Sequence, residues 1–271
     1  PPPPPPPFQA EDGIRDDWLR LVGSEMCIRD RNETGPGIMQ VVSAVSARAG
    51  VPLWIPDDVA GHCCGMPFSS KGYDRAYVRT ATRLVRAVWE WSDHGALPVV
   101  LDSSPCAYTL RHAGPDLDPA SRDRLERIEI LDGIELAHRY VLPGLRFDGR
   151  ERSVVLHPVC SVEKMGLSRK LVEIAEAAAT EVVVPFAAGC CGFAGDRGFL
   201  LPQLTEAATR AEAEEVRSRS WDGCYSSSRT CEIGMSRATG RAYRSFWYLL
   251  AEAAGVLPDR MASLPEGTEP R

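Results

Sequence analysis

The residues of this chain best suited to chemistry are its cysteines. Two vicinal pairs stand in matching contexts, Gly61-His62-Cys63-Cys64-Gly65-Met66-Pro67-Phe68 and Ala188-Gly189-Cys190-Cys191-Gly192-Phe193-Ala194-Gly195. Each is followed by a lone cysteine at the start of an expected helix: Cys106 after 41 residues and Cys231 after 39. Small residues around the pairs let backbone approach a ligand closely. A duplicated Cys-Cys-Gly module with a matched downstream cysteine reads as two metal-cluster halves in tandem. In the second half Cys160, Cys190, Cys191 and Cys231 supply four thiolates, one for each iron of a [4Fe–4S] cluster. The first half supplies Cys63, Cys64 and Cys106. The repeat places its fourth ligand near Glu33–Thr34, where no cysteine stands.

Two other chemistries compete for the nine cysteines. Disulfides fit poorly, because vicinal cysteines cannot easily bridge to each other and no export signal is evident. A structural zinc site is the stronger rival, although zinc favours C-x2–4-C knuckles and no C-x2-C occurs here. Cys27 has the spacing of a ligand, but its context, Glu-Met-Cys-Ile-Arg, lacks the proline and small residues around the others, and it is left out of the ligand set. Cys224 reads as a buried free thiol. His157 is open to two readings, a hydrogen bond to a cluster sulfur or a cap on a strand end. Asp196 and Arg197 are expected to pair locally or brace the second loop, and Lys71 to face an anionic partner or solvent.

Composition narrows the class. The net charge is −6, so neither nucleic acid nor an anionic membrane surface is favoured as a partner. No apolar run approaches the ~20 residues needed to span a bilayer, which makes a soluble, cytoplasmic protein the expectation.

The elements that must position the cysteines alternate in type. Helical spacing of Ile38, Val41, Val42, Val45 and Ala49 is followed by an apolar strand over Val51–Ile55. A long helix is expected from Tyr73 to Trp91, buried through Ala76, Val78, Ala81, Leu84, Val85 and Val88. A strand over Leu97–Asp102 delivers Cys106, and Ile128–Leu131 and a helix from Ile134 to Val141 follow. The second half repeats the order: strand Ser153–Leu156, helix Ser168–Ala179, strand Glu181–Val184, helix Gln203–Arg219, strand Gly223–Ser226 and a terminal helix over Ala242–Ala254. This pattern predicts an α/β fold of two pseudo-repeated halves with parallel sheets. The cluster sites then fall at the C-terminal ends of strands, where ligands gather in such sheets.

The domain expectation has four parts. Residues 1–31, opening on seven prolines, resemble translated sequencing-adaptor read-through or a disordered tail and are set outside the fold. The first half-domain covers 32–145, N-terminally truncated. The second covers 153–255 beyond a Gly-rich, charged linker, and 256–271 form a disordered tail.

The motifs resemble the CCG (cysteine-rich) family, found in the B subunit of heterodisulfide reductase and in iron–sulfur subunits of glycolate- and lactate-oxidising systems. The family module ends in C-x-x-C, whose first member here is serine: Ser103 before Cys106 and Ser228 before Cys231. That departure argues against the heterodisulfide reductase branch, with its noncubane cluster. Cys63-Cys64-Gly65-Met66-Pro67-Phe68-Ser69-Ser70-Lys71-Gly72-Tyr73, Cys190-Cys191-Gly192-Phe193-Ala194-Gly195-Asp196-Arg197-Gly198 and Arg229-Thr230-Cys231-Glu232-Ile233-Gly234-Met235 are similar to the C-terminal part of FAD- and iron–sulfur-dependent D-lactate dehydrogenases. The resemblance implies that FAD in another domain or a flavoprotein subunit oxidises the substrate. The cysteines then hold a cluster that relays electrons to a cytochrome or quinone. It also implies that this portion alone is inactive, and it is compatible with peripheral association at the inner face of the cell membrane. Two alternatives stay open, a stand-alone iron–sulfur subunit of a glycolate oxidase or lactate-utilisation complex and a zinc-stabilised binding module.

Overall fold

The computed structural model describes residues 36–147 and 152–256, together with the backbone of a strand at 19–22. Cys27, Glu33, Thr34, part of the expected linker and nearly all of the expected C-terminal tail lie outside the described residues.

The first half contains strands β1 (Leu19–Val22), β2 (Leu53–Trp54), β3 (Val99–Leu101) and β4 (Ile130–Asp132), ordered β2-β1-β3-β4. The second contains β5 (Ser153–His157), β6 (Glu181–Val183), β7 (Gly223–Ser226) and β8 (Tyr243–Ser245), ordered β6-β5-β7-β8. Every pairing in both sheets is parallel. The protein is therefore α/β, and the second sheet repeats the strand order of the first.

Two strands depart from the sequence reading. Residues 1–31 were set outside the fold, yet Leu19–Val22 occupies an inner position of the first sheet, with Leu19 opposite Leu53 and Arg20 opposite both Trp54 and Val99. Backbone ladder bonding accepts any short extended segment that can pair on both sides, so unusual composition does not bar a strand. The expected terminal helix from Ala242 in fact begins as β8, with Tyr243 opposite Cys224 and Ser245 opposite Ser226. A three-residue strand is too short to show alternation, and its helical continuation masks it.

The helices follow their apolar periodicity. Helix α1 (Ile38–Arg48) buries Met39, Val41, Val42 and Val45, and helix α3 (Asp74–Trp91) buries Tyr77, Ala81, Leu84, Val85, Val88 and Trp91. Tyr77 and Trp91 take the places expected for Ala76 and Val78, which are only half-buried. The expected helix over Ile134–Val141 is α6 (Gly133–Leu136) continued as one π-helical turn, Ala137–Val141. Between β3 and β4 lie α4 (Ser104–Arg111) and α5 (Pro119–Glu126), the latter capped by the Asp118 carboxylate on the Ser121 N–H at 3.0 Å.

The two halves share one large core cluster, and each also keeps a cluster of its own, around Leu84 and Leu110 in the first half and around Val155 and Met235 in the second. Helix α1 packs against the last helix, α12 (Phe246–Ala253), so that Val41, Val42 and Val45 join Phe246, Trp247, Leu249 and Leu250 in a single cluster reaching Val154 and Leu156. Each half thus completes its hydrophobic face with residues from the other, and neither buries that face alone.

Where β4 passes into α6, Asp132 caps the helix by accepting the Ile134 N–H at 2.8 Å. Burial lifts its carboxyl from the ordinary 3.8 to about 7. The folded state then keeps a proton that the unfolded chain releases, so its contribution to stability is complete below pH 3.8 and is lost as pH rises through about 7. Asp132→Asn keeps the capping oxygen and cannot ionise. Urea denaturation across that window should show the variant losing stability less steeply, by up to about 1.4 kcal/mol per pH unit. Parallel slopes would mean that Asp132 is ionised in the fold.

Candidate metal centre

Each sequence-predicted cysteine of the described residues sits at the mouth of a parallel sheet. After β5 the chain passes through Pro158 and Val159 and opens α7 (Cys160–Lys164) on Cys160 itself. After β7, Ser228 adopts the extended N-cap conformation of α11 (Arg229–Thr239), placing Cys231 in its first turn. Ser103 does the same for α4 and Cys106. The serines that replace the first cysteine of each C-x-x-C are therefore helix N-caps. Helix starts suit thiolates, because free N–H groups and the helix dipole favour negative charge.

The third residue of each Cys-Cys-Gly has a local reason. Gly65 and Gly192 lie at φ 86° and 71°, in the left-handed region that favours glycine. Their N–H groups turn back to donate to the Cys63 and Cys190 sulfurs, each at 3.4 Å. A Cβ on Gly192 would stand 2.8 Å from the Leu204 carbonyl oxygen, and one on Gly65 2.7 Å from the Tyr77 ring.

In the second half the structure brings all four predicted cysteines together. The Cys191 and Cys231 sulfurs lie 2.9 Å apart, both residues buried. Cys160 and Cys190 are exposed and hydrogen-bonded to each other, and both act electrostatically on Cys231. The four thiols do not share charge evenly. A hydrogen bond from Cys231 is the main reason that Cys191 falls to about 5, and one from Cys160 is the main reason that Cys190 falls to about 6. Their partners are pushed the other way, Cys231 by that same bond and by complete burial, Cys160 by its bond to Cys190 and by burial.

Sequence reasoning left His157 ambiguous and missed Glu212. His157 ends β5, fully buried, and its Nδ1 lies 2.8 and 3.0 Å from the two carboxylate oxygens of Glu212. Glu212 comes from α10 (Pro202–Arg217) and is itself 2% exposed. A ring nitrogen of His157 and the sulfurs of Cys191 and Cys231 all lie within 4.8 Å of one another. Burial opposes a charged ring, but Cys191 and Glu212 outweigh it and lift His157 to about 9. The one sequence signal was a glutamate on the apolar side of a predicted helix.

The first half brings Cys63, Cys64 and Cys106 together. Cys64 and Cys106 sulfurs are 3.2 Å apart. The Cys106 hydrogen bond lowers Cys64, but Cys63 and burial outweigh it and push that thiol up. A cleft of about 80 Å³ runs from Cys64 and Cys106 to Gly195, Asp196 and Arg229 of the other half. Cys224 stays apart from both groups, buried beside Val155, Val216, Met235 and Tyr243, with its thiol raised to about 11 by burial.

The loops after the two Cys-Cys-Gly turns grip each other. Lys71 Nζ meets Asp196 Oδ2 at 2.7 Å, and Arg197 donates to the Ser70 carbonyl. Lys71, a quarter exposed, thus spends its charge on a carboxylate of the other half, and Asp196 and Arg197 reach across the seam. Farther in, the Ser104 hydroxyl donates to the Ser227 hydroxyl at 3.1 Å.

The donor set tests well against the group that the sequence implies. Four converging sulfurs, two of them with their pKa held down by their neighbours, and a buried histidine beside them suit a soft metal centre, iron–sulfur or zinc.

Comparison with known proteins identifies the family. The cysteine-rich domain model known as CCG matches residues 26–111 and 154–236, and the chain belongs to that family. The two matches fall on the two halves of the fold. The chain is 25% identical over 221 residues to the C subunit of anaerobic glycerol-3-phosphate dehydrogenase from Escherichia coli K12, and equally to that of E. coli O157:H7. The aligned part is 74% of this chain and 53% of the relative, so the chain spans about half the length of the curated relatives it matches. A crystal structure of a hypothetical protein from Helicobacter pylori superposes over 89% of this chain and 50% of its own, with 11% identity and a TM-score of 0.45.

Alanine at Gly192 should cost more than alanine at Gly240, which has a similar φ of 70° but nothing within 4 Å of the position a Cβ would take. Left-handed strain alone is worth about 1–2 kcal/mol. Urea midpoints should place Gly240→Ala in that range and Gly192→Ala beyond it; equal losses would mean that the Leu204 contact yields freely.

Proposed function

We propose that this chain is the iron–sulfur electron-transfer portion of a flavin-dependent dehydrogenase acting on D-lactate or a related 2-hydroxy acid. The observation that carries the reading is the convergence of Cys160, Cys190, Cys191 and Cys231 on one site beside His157. These four would hold a [4Fe–4S] cluster, which supplies one-electron transfer between a two-electron donor and an acceptor. The chain's own part is to bind and insulate. Buried Cys191 and Cys231 fix the inner side, whereas exposed Cys160 and Cys190 leave the outer side open to a partner. Electron transfer needs such an edge, because a fully enclosed centre is remote from every donor.

The flavin would be FAD in a separate domain or subunit, and a cytochrome or quinone the acceptor. Among the described residues no helix is long and apolar enough to cross a membrane, so contact with a membrane acceptor would be peripheral. Exposed Phe186, Phe199, Leu200 and Leu201, from the segments flanking the second Cys-Cys-Gly, offer apolar surface for such contacts. The name of the E. coli relatives supports a second substrate reading, glycerol 3-phosphate. The two share the chemistry of hydride loss from a secondary alcohol carbon, and the choice between them rests with the flavoprotein.

With three cysteines in its described residues, the first half is proposed to be a weaker site. The test is EPR of the anaerobically reconstituted chain after dithionite reduction. A low-temperature iron–sulfur signal should appear in the wild type, survive Cys224→Ser and vanish in Cys231→Ser. A colourless protein without a signal, carrying stoichiometric zinc, would replace this reading with a structural metal module. Neither D-lactate nor glycerol 3-phosphate should be turned over until a flavoprotein is added.

A further inference from the structure

The second half contains a buried polar pair, His157 and Glu212, whose carboxylate has no counterpart among the described residues of the first half. At the offset from Cys191 where α10 buries Glu212, the matching offset from Cys64 in α3 falls on Val85, fully buried and apolar. Helix α10 thus spends a core position on a carboxylate, and the end of β5 spends another on an imidazole. Burying such groups is costly, and replacing a buried ion pair by apolar side chains is often neutral or stabilising. Fold stability therefore gives no reason for this pair, and its surroundings give one.

His157 lies between two anionic neighbours. On one side both Glu212 oxygens approach Nδ1, at 2.8 and 3.0 Å. On the other are the sulfurs of Cys191 and Cys231, with a ring nitrogen within 4.8 Å of both. Nε2 is buried and closes no hydrogen bond of ordinary geometry, although Cys191 already acts on the ring as a hydrogen-bond partner. A carboxylate behind one ring nitrogen fixes the orientation of the ring and presents the other to the site, as outer-shell carboxylates do behind histidines at metal centres. With four thiolates already present for four irons, the ring is not needed as a ligand. With Nδ1–H given to the Glu212 carboxylate, a proton on Nε2 makes the ring an imidazolium held between two anionic neighbours, and that proton is the hydrogen-bond donor a site rich in thiolate lacks.

We propose that His157, oriented by Glu212, donates a hydrogen bond from Nε2 to the Cys191 sulfur and thereby raises the reduction potential of the centre in the second half. This rests on the iron–sulfur reading above. Reduction adds negative charge to the centre, so a donor aimed at a ligand sulfur stabilises the reduced form more than the oxidised one. His157 is a positioning residue, acting through Cys191, and Glu212 acts through His157.

The experiment is an EPR-monitored redox titration of the full chain, reconstituted anaerobically, as wild type, His157→Leu and His157→Gln. The leucine variant should keep its iron and sulfide, and its one-electron reduction equilibrium should fall about tenfold, ~59 mV. Glutamine, which can still donate, should recover part of that shift. An unchanged midpoint in a loaded leucine variant would overturn the proposal, as would loss of iron from leucine and glutamine variants that fold, which would make His157 a ligand. A measurement on the wild type covers the case in which the variants do not fold. With ¹⁵N-labelled histidine, pulsed EPR should find a weak nitrogen coupling together with an exchangeable proton. A strong coupling typical of an iron–nitrogen bond, or no coupling, would contradict it. Absence of any iron–sulfur signal in the wild type would instead bring down the iron–sulfur reading itself, and this proposal with it.

Discussion

Four thiols packed into one partly buried site cannot all ionise unless positive charge is placed among them. The structure shows this conflict in its sulfurs: Cys190 and Cys191 are held low, and Cys160 and Cys231 are driven up by the hydrogen bonds they give and by burial. At close range in a low-dielectric site like charges disfavour one another strongly. A bound cationic centre would resolve the conflict, because the remaining thiols would lose their protons on binding it. Most of the surrounding architecture can be understood as bringing these four groups together at that electrostatic cost. Parallel strands deliver them at their C-terminal ends, helix starts stabilise their negative form, and the left-handed glycine turns its N–H back onto the first sulfur of each pair.

The second constraint is the seam between the halves. Each half repeats the other in strand order, yet they are joined by more than a linker. The Lys71–Asp196 pair, the Arg197 contact to the Ser70 carbonyl and the buried Ser104–Ser227 contact tie together the loops that carry the cysteines. The core running from α1 to α12 joins the opposite side. The cleft at Cys64 and Cys106 is walled partly by residues of the second half. Gene duplication alone would give two equal sites. The buried Glu212 in one half and Val85 in the other show that the two sites have diverged.

Much of this was legible in the sequence because the signals were local. Helix α3 announces itself through Ala81, Leu84, Val85 and Val88, and the repeated Cys-Cys-Gly with its downstream cysteine marks both sites. Convergence of Cys160 with Cys191 and Cys231 followed from placing each at a strand end. What stayed hidden depends on pairing across distance. Leu19–Val22 is a strand because β2 and β3 flank it, and its adaptor-like surroundings pointed the other way. Tyr243–Ser245 is too short to betray itself before the helix that follows. Glu212 belongs to His157 only once α10 lies over β5, and Lys71 finds Asp196 only when the halves meet. Spacing identifies ligands that one loop or helix start presents; it does not reveal a partner 55 residues away.

The second half is proposed to hold one iron–sulfur centre. Iron, acid-labile sulfide and zinc content after anaerobic purification tests it most directly, with Cys191→Ser and Cys106→Ser measured beside the wild type. About four irons and four sulfides per chain are expected, unchanged by Cys106→Ser and lost with Cys191→Ser. One zinc per chain with no sulfide, or a full iron complement retained by Cys191→Ser, would contradict it.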